Sequence, residues 1–185
     1  HRLDKDTSGL MVAAKTDAAH AALSQRFSKH AIDRAYQALV WGLPHPRQGV
    51  IEGAIGRSAV NRKKMAVVKK GGKPARTRYR VVKSWNGLVS LVECVLETGR
   101  THQVRVHLAH IGHPLVGDPV YGRSRSGPRQ TTMPAATLAA LKSFPRQALH
   151  AYRLGFPHPR TEATNTFKSN LYKDINELLK LLDSE

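Results

Sequence analysis

The chain has 185 residues, 41% of them hydrophobic, and its 30 Lys plus Arg against 13 Asp plus Glu leave a formal net charge of +17. That length and apolar content suit one folded domain and exclude a disordered tail, and without a run of about 18 apolar residues or a long basic amphipathic helix a membrane is not expected as partner. The cationic surplus points to a polyanion, nucleic acid first, because each basic side chain set against a phosphate releases a condensed counterion.

The first segment, His1-Arg-Leu-Asp-Lys-Asp-Thr-Ser-Gly-Leu10, sets the carboxylate of Asp4 between Arg2 and Lys5. Asp4 is the candidate catalyst, although an acid beside a base is more often a solvated surface pair. Leu10–Thr16 reads as a short buried strand, so Asp4 falls on the loop entering it, and Asp17 then caps a helix running to Lys29 with Ala18, Ala22, Leu23 and Phe27 on one face. The chain opens without Met and already inside this motif, which predicts that it starts partway through a longer protein.

Arg34–Gly42 and Val50–Ile55 are strand-like, parted by Pro44, Pro46 and Gly49. Lys63–Val68 and Ala75–Trp85 flank Gly71-Gly72-Lys73-Pro74, and Asn86-Gly87 offers short-turn chemistry into the apolar run Leu88–Leu96. That run carries Cys94, the chain's one cysteine, which reads as a buried strand thiol and suits a reducing, cytoplasmic compartment. Strand alternation puts Arg76, Arg78 and Arg80 on one sheet face, either as solvated charge or as a phosphate track. Val104, Leu108 and Ile111 make a helical stripe in Thr101–Ile111, closed by Gly112. Beyond a loop rich in Pro and Gly, Thr137–Ser143 is helix-like, Ala148–Phe156 strand-like and Tyr172–Leu182 a terminal amphipathic helix. Many strands with few helices and no regular βαβ alternation predict an α+β fold, a mixed, mainly antiparallel sheet with a few flanking helices.

Other chemistries find little support. His107, His110 and His113 recur every third residue, but that step drifts round a helix and no Cys or carboxylate stands near, so a metal is not expected. The glycine segments match neither a Walker A loop nor a dinucleotide fingerprint, so no nucleotide cofactor is expected. Ser8 lacks a nucleophile elbow.

The segments that remain are His1–Leu10, Arg34-Ala-Tyr36, Gly99-Arg-Thr-His-Gln-Val-Arg-Val-His-Leu108, Gly112-His-Pro-Leu-Val-Gly-Asp-Pro-Val-Tyr-Gly122 and Gln147-Ala-Leu-His-Ala151. In order and spacing they resemble the RluA-type pseudouridine synthases over nearly the whole chain. Within that family, Lys63-Lys-Met-Ala-Val and Gly72-Lys-Pro-Ala75 are most similar to synthases that modify large-subunit ribosomal RNA. The resemblance implies that residues 1–185 are a catalytic domain, that Asp4 is the essential aspartate, that Arg105 forms the ion pair holding it, and that Tyr36 stacks on the target base. Without it, Tyr36 reads as a core-filling strand tyrosine. It further implies a cofactor-free isomerisation of uridine in RNA. A monomer is expected, because no exposed heptad or large apolar patch is readable. Arg2, Arg100, His102, Lys63, Lys64, Lys69 and Lys70 are the RNA-contact candidates. Two departures stand out: the upstream strand and Asn-Lys-Pro loop of family members, and the S4-type domain they often carry, are expected to lie outside these 185 residues, and Phe167-Lys-Ser-Asn-Leu171 replaces an aromatic-x-Ala-Pro pattern.

Overall fold

The computed structural model describes residues 1–122 and 133–184. Among these lie nine strands and four helices: β1 (Ser8–Gly9), α1 (Asp17–Ser28), β2 (Asp33–Trp41), β3 (Gln48–Glu52), β4 (Ile55–Arg57), β5 (Met65–Val67), β6 (Arg76–Trp85), β7 (Val89–Leu96), α2 (Gln103–His110), α3 (Ala135–Lys142), β8 (Leu149–Pro157), β9 (Thr164–Lys168) and α4 (Lys173–Asp183). The main sheet runs β1-β8-β2-β7-β6-β3, with β9 also on β8, and β4 and β5 form a separate two-stranded sheet. Only β1 against β8 is parallel; the other pairs are antiparallel. This is the expected α+β architecture.

β2 lies between β8 and β7 and is apolar almost throughout because both its faces are covered. Tyr36, Ala38 and Val40 share a core with Val104 and Leu108 of α2. Leu39 and Trp41 point the other way, onto Leu141 of α3 and Ile175, Leu178 and Leu182 of α4. The small sheet packs Ile55, Met65 and Val67 against Val106 on a further side of α2. Consequently α2 is buried nearly all round, Arg105 and His107 included.

Several expectations need correction. The stretch from Leu10 to Thr16 forms no ladder: β1 ends at Gly9, and the edge of β8 that a longer strand would need is taken by β9 from Arg153 onward. Leu10, Val12 and Ala14 nonetheless alternate onto Leu23, Leu154 and Phe156. The cap of α1 is Thr16, whose hydroxyl accepts from the Ala19 amide, and Asp17 is the first helical residue. Ala18 is exposed and Ala19 takes its place on the inner face. Val50–Ile55 is two strands in two sheets, split after Glu52. Arg76, Arg78 and Arg80 do share a face, but Glu52 and Glu97 pair with Arg76, Glu97 with Arg78, and Glu93 with Arg80. That face is an exposed ion-pair ladder rather than an open phosphate track. Burial of Cys94 pushes its thiol far up, leaving it an inert core residue.

Burial lowers the pKa of His107 and of His150, the two most deeply enclosed imidazoles. An unfolded histidine takes up its proton near pH 6.5 or so, whereas these stay neutral to lower pH, so just below that point the unfolded chain binds more protons. Stability is therefore complete above about pH 6.5 and falls as pH drops from there toward the folded values. Urea midpoints measured from about pH 7.5 to 5.5 should decrease, and His107→Gln should flatten the slope.

Candidate active site

Asp4 sits in a turn, its carbonyl accepting from the Thr7 amide at 3.0 Å. Two neighbours in chain position 146–147 pin this turn: the Gln147 amide donates to the Lys5 carbonyl at 2.5 Å and to the Thr7 hydroxyl at 3.1 Å, and Arg146 donates to the Asp6 carbonyl at 2.9 Å. Arg146 is itself clamped by both oxygens of Asp174 at 2.7 Å. Gly9 has φ +116° and lies so close to β8 that a Cβ would stand 2.3 Å from the Ala151 carbonyl oxygen. Asp4 is thus mounted on the sheet edge.

The opposite wall is the start of α2. Gln103, fully enclosed, satisfies its whole amide: its oxygen accepts from Thr98 Oγ1 (2.7 Å) and the Arg100 amide (3.0 Å), and its nitrogen donates to the Arg76 carbonyl (3.0 Å) and Thr77 Oγ1 (2.9 Å). These four bonds fix the loop 97–102. His102 takes the left-handed conformation at φ 56° immediately before the helix.

Arg105 brings its Nη1 to 3.3 Å from Asp4 Oδ2. Its stronger bonds go elsewhere: Nε donates to Asp118 Oδ2 at 2.7 Å and Nη2 to Asp118 Oδ1 at 3.0 Å. Asp118 Oδ1 also accepts from the Val120 and Tyr121 amides at 2.8 and 3.0 Å, and its side chain is wholly enclosed. Burial acts to raise the Asp118 pKa, but the Arg105 guanidinium and the two amides outweigh it and hold the carboxyl below its usual range. Burial likewise disfavours the Arg105 cation, and the two carboxylates outweigh that too. The guanidinium lies 5.1 Å from the centre of the Tyr121 ring. The Tyr121 hydroxyl meets His102 Nδ1 at 2.9 Å and accepts from the Met65 amide at 3.1 Å, tying the β4–β5 sheet to this wall.

Between the two walls is an open cleft lined by Arg2, Asp4, Tyr36, Arg100 and His102 among others. The fold therefore brings together five of the ten residues singled out in the sequence, with Arg105 directly behind Asp4. Tyr36 belongs to the α2-side core and also lines the cleft. Burial raises its pKa against the nearby Arg34 charge, so the phenol stays neutral. Arg100 donates its Nε to the Pro74 carbonyl at 2.9 Å. Lys63, Lys69 and Lys70 are exposed around β5 and outside the cleft lining, and Lys64 is bonded to the Val120 carbonyl at 2.8 Å. His107 turns to Thr77 Oγ1 and His113 to the Trp41 carbonyl, each at 2.9 Å. Phe167–Leu171 spans the end of β9 and the lead into α4, away from the cleft lining.

Asp118, Gln103 and Gln147 had no assigned part in the sequence reading. All three lie inside segments quoted for the family resemblance, but nothing in their spacing marks Asp118 as the counter-ion of Arg105, Gln103 as the anchor of the loop before α2 or Gln147 as the clamp of the Asp4 turn.

Residues 1–110 match the family described as RNA pseudouridylate synthase, and the chain belongs to it. It is 51% identical over 184 residues to Ribosomal large subunit pseudouridine synthase D of Zymomonas mobilis, covering 98% of this chain and 55% of that protein. It is 44% identical to the Uncharacterized RNA pseudouridine synthase YlyB of Bacillus subtilis, over 98% of this chain and 54% of that one. The chain spans about half the length of such relatives. Human RNA Pseudouridylate Synthase Domain Containing 4 superposes with a TM-score of 0.78 at 27% identity, over 99% of this chain and 74% of the human one.

Proposed function

We propose that this chain isomerises uridine to pseudouridine in RNA, large-subunit ribosomal RNA by analogy with the names of its relatives. The observation that carries this reading is a carboxylate ion-paired to a buried arginine in a cleft also lined by cations and a tyrosine, in a member of this family. The reaction breaks the bond from ribose C1′ to uracil N1 and forms one from C1′ to C5. C5 gives up a proton, N1 gains one, and no electrons are exchanged, so no cofactor is required.

Asp4 is the reacting group in this reading. An ionised carboxylate can add covalently to the nucleoside or withdraw a ribose proton, and either role needs it fixed in position and charged. Arg105 supplies the opposite charge, and Asp118 holds Arg105. A uridine reaches Asp4 only by leaving its stack, and Tyr36 offers a ring on which the extruded base can rest. Arg2, Arg100 and His102 border the entrance as phosphate or base contacts; Lys63, Lys69 and Lys70 extend the basic surface beyond it, and Lys64 helps hold the loop that contains Asp118.

Tritium release from ribosomal RNA labelled at uracil C5 tests the reading directly. The chain should release tritium, since C5 loses its hydrogen only when isomerisation is completed. Binding of the RNA with no release would instead identify a non-catalytic RNA-binding module.

A further inference from the structure

Arg34 and Tyr36 are two residues apart on β2 and therefore project from the same sheet face. Both line the cleft. Arg34 is 9% exposed, yet among the described residues it has no hydrogen bond and no ion pair, and its Nε is enclosed without a partner. Its guanidinium carbon lies over the Phe27 ring, 5.6 Å from the ring centre. Arg105, enclosed to a similar degree, has two carboxylates. A cation withdrawn from water without a counter-ion is strongly disfavoured, and proteins normally pair such groups. Burial accordingly lowers the pKa of Arg34, opposed only by the neighbouring Tyr36.

The surroundings keep the guanidinium open toward the cleft. Gly99 lies against it so closely that a Cβ there would stand 2.5 Å from Nη1 and 3.2 Å from Nη2. Any larger residue at 99 displaces the fork. Among the described residues no carboxylate pairs with it.

We propose that Arg34 is a phosphate-binding residue: its guanidinium takes the RNA backbone phosphate of the nucleotide whose base rests on Tyr36. This rests on the reading that the cleft receives RNA. Phosphate is the ligand that supplies the missing negative charge and matches the planar fork; a uracil carbonyl is neutral and leaves the charge uncompensated. The pairing also accounts for an unpartnered arginine in so enclosed a place.

The test compares the 185-residue chain with Arg34→Met, Arg34→Gln and Arg34→Lys, and with Lys142→Met, an equal loss of charge on the exposed side of α3. The probe is a fluorescent uridine-bearing stem-loop of large-subunit ribosomal RNA, titrated at several salt concentrations, beside thermal unfolding and C5 tritium release. Arg34→Met and Arg34→Gln should weaken binding about tenfold or more and reduce the slope of log K against log salt by about 0.7 to 1. Arg34→Lys should keep the slope with partial affinity, and Lys142→Met should behave as the parent. The melting temperature of Arg34→Met should hold or rise, because a buried unpaired charge has been replaced by an apolar chain of similar length.

A parental salt slope in both Arg34→Met and Arg34→Gln overturns the proposal, whatever happens to stability. If the parent releases tritium and these slopes are unchanged, Arg34 alone has failed. If the parent binds RNA without releasing tritium and the slopes fall, the catalytic reading fails and Arg34 stands. A parent that does not bind the RNA overturns both.

Discussion

Asp4→Asn should abolish C5 tritium release, by at least about a thousandfold, while RNA affinity stays within about threefold of the parent. The substitution keeps the shape of the side chain and leaves a carbonyl oxygen able to accept from Arg105 Nη1. It removes the ability to attack carbon or to accept a proton, and with it the chemistry. Affinity survives because Asp4 contributes negative charge to a cleft that faces a polyanion. Folding survives as well: Arg105 loses only the weaker of its carboxylate contacts, 3.3 Å to Asp4, and keeps both bonds to Asp118. Release assays paired with binding titrations check all three expectations. An Asn variant turning over at more than about a tenth of the parent rate would show that Asp4 is not the reacting group.

Asp118→Asn is expected to damage stability and turnover together. One oxygen of Asp118 serves Arg105 Nη2 and the Val120 and Tyr121 amides, and the other serves Arg105 Nε. An asparagine can satisfy the first set through its carbonyl, but its NH2 then confronts the Nε–H, donor against donor. The negative charge is lost in the same step, leaving Arg105 buried with only Asp4 to balance it. Breaking a buried pair from one side destabilises by about 3 kcal/mol or more, equivalent to a melting temperature lower by roughly 6–12 °C in a chain of this size. Once the guanidinium is free to rotate, Nη1 no longer points at Asp4, and turnover should fall at least about tenfold even well below the melting point. Calorimetry and tritium release at about 20 °C separate the two effects. Full turnover with lowered stability would make Asp118 a structural residue without influence on Asp4.

Secondary structure was legible wherever periodicity was strong and its cause local. The β2, β6 and β7 runs, α2 and α4 lie within a residue or two of where alternation, helical stripes and turn residues put them. The failures have one origin in common. Leu10–Thr16 alternates like a strand, but whether it pairs depends on which segment reaches the edge of β8, and β9 takes that edge. Val50–Ile55 looks continuous in the sequence and is divided because Ile51 pairs with β6 while Ile55 pairs with β5.

The site divides along the same line. The sequence by itself determined the class of protein, through ordered motifs carrying Asp4, Tyr36 and Arg105, and its basic charge. Only the tertiary structure decided how those residues stand to one another. Asp4 and Arg105 are 101 positions apart and meet because the Asp4 turn is pinned by Gln147, just ahead of β8, and Arg105 lies on α2, which Gln103 ties to β6. That Asp118 rather than Asp4 holds the guanidinium by two bonds, and that Arg34 is enclosed without an anion, are facts of burial. A charged residue has the same formula exposed or enclosed, and its energy is set by the water and partners that the fold removes or supplies.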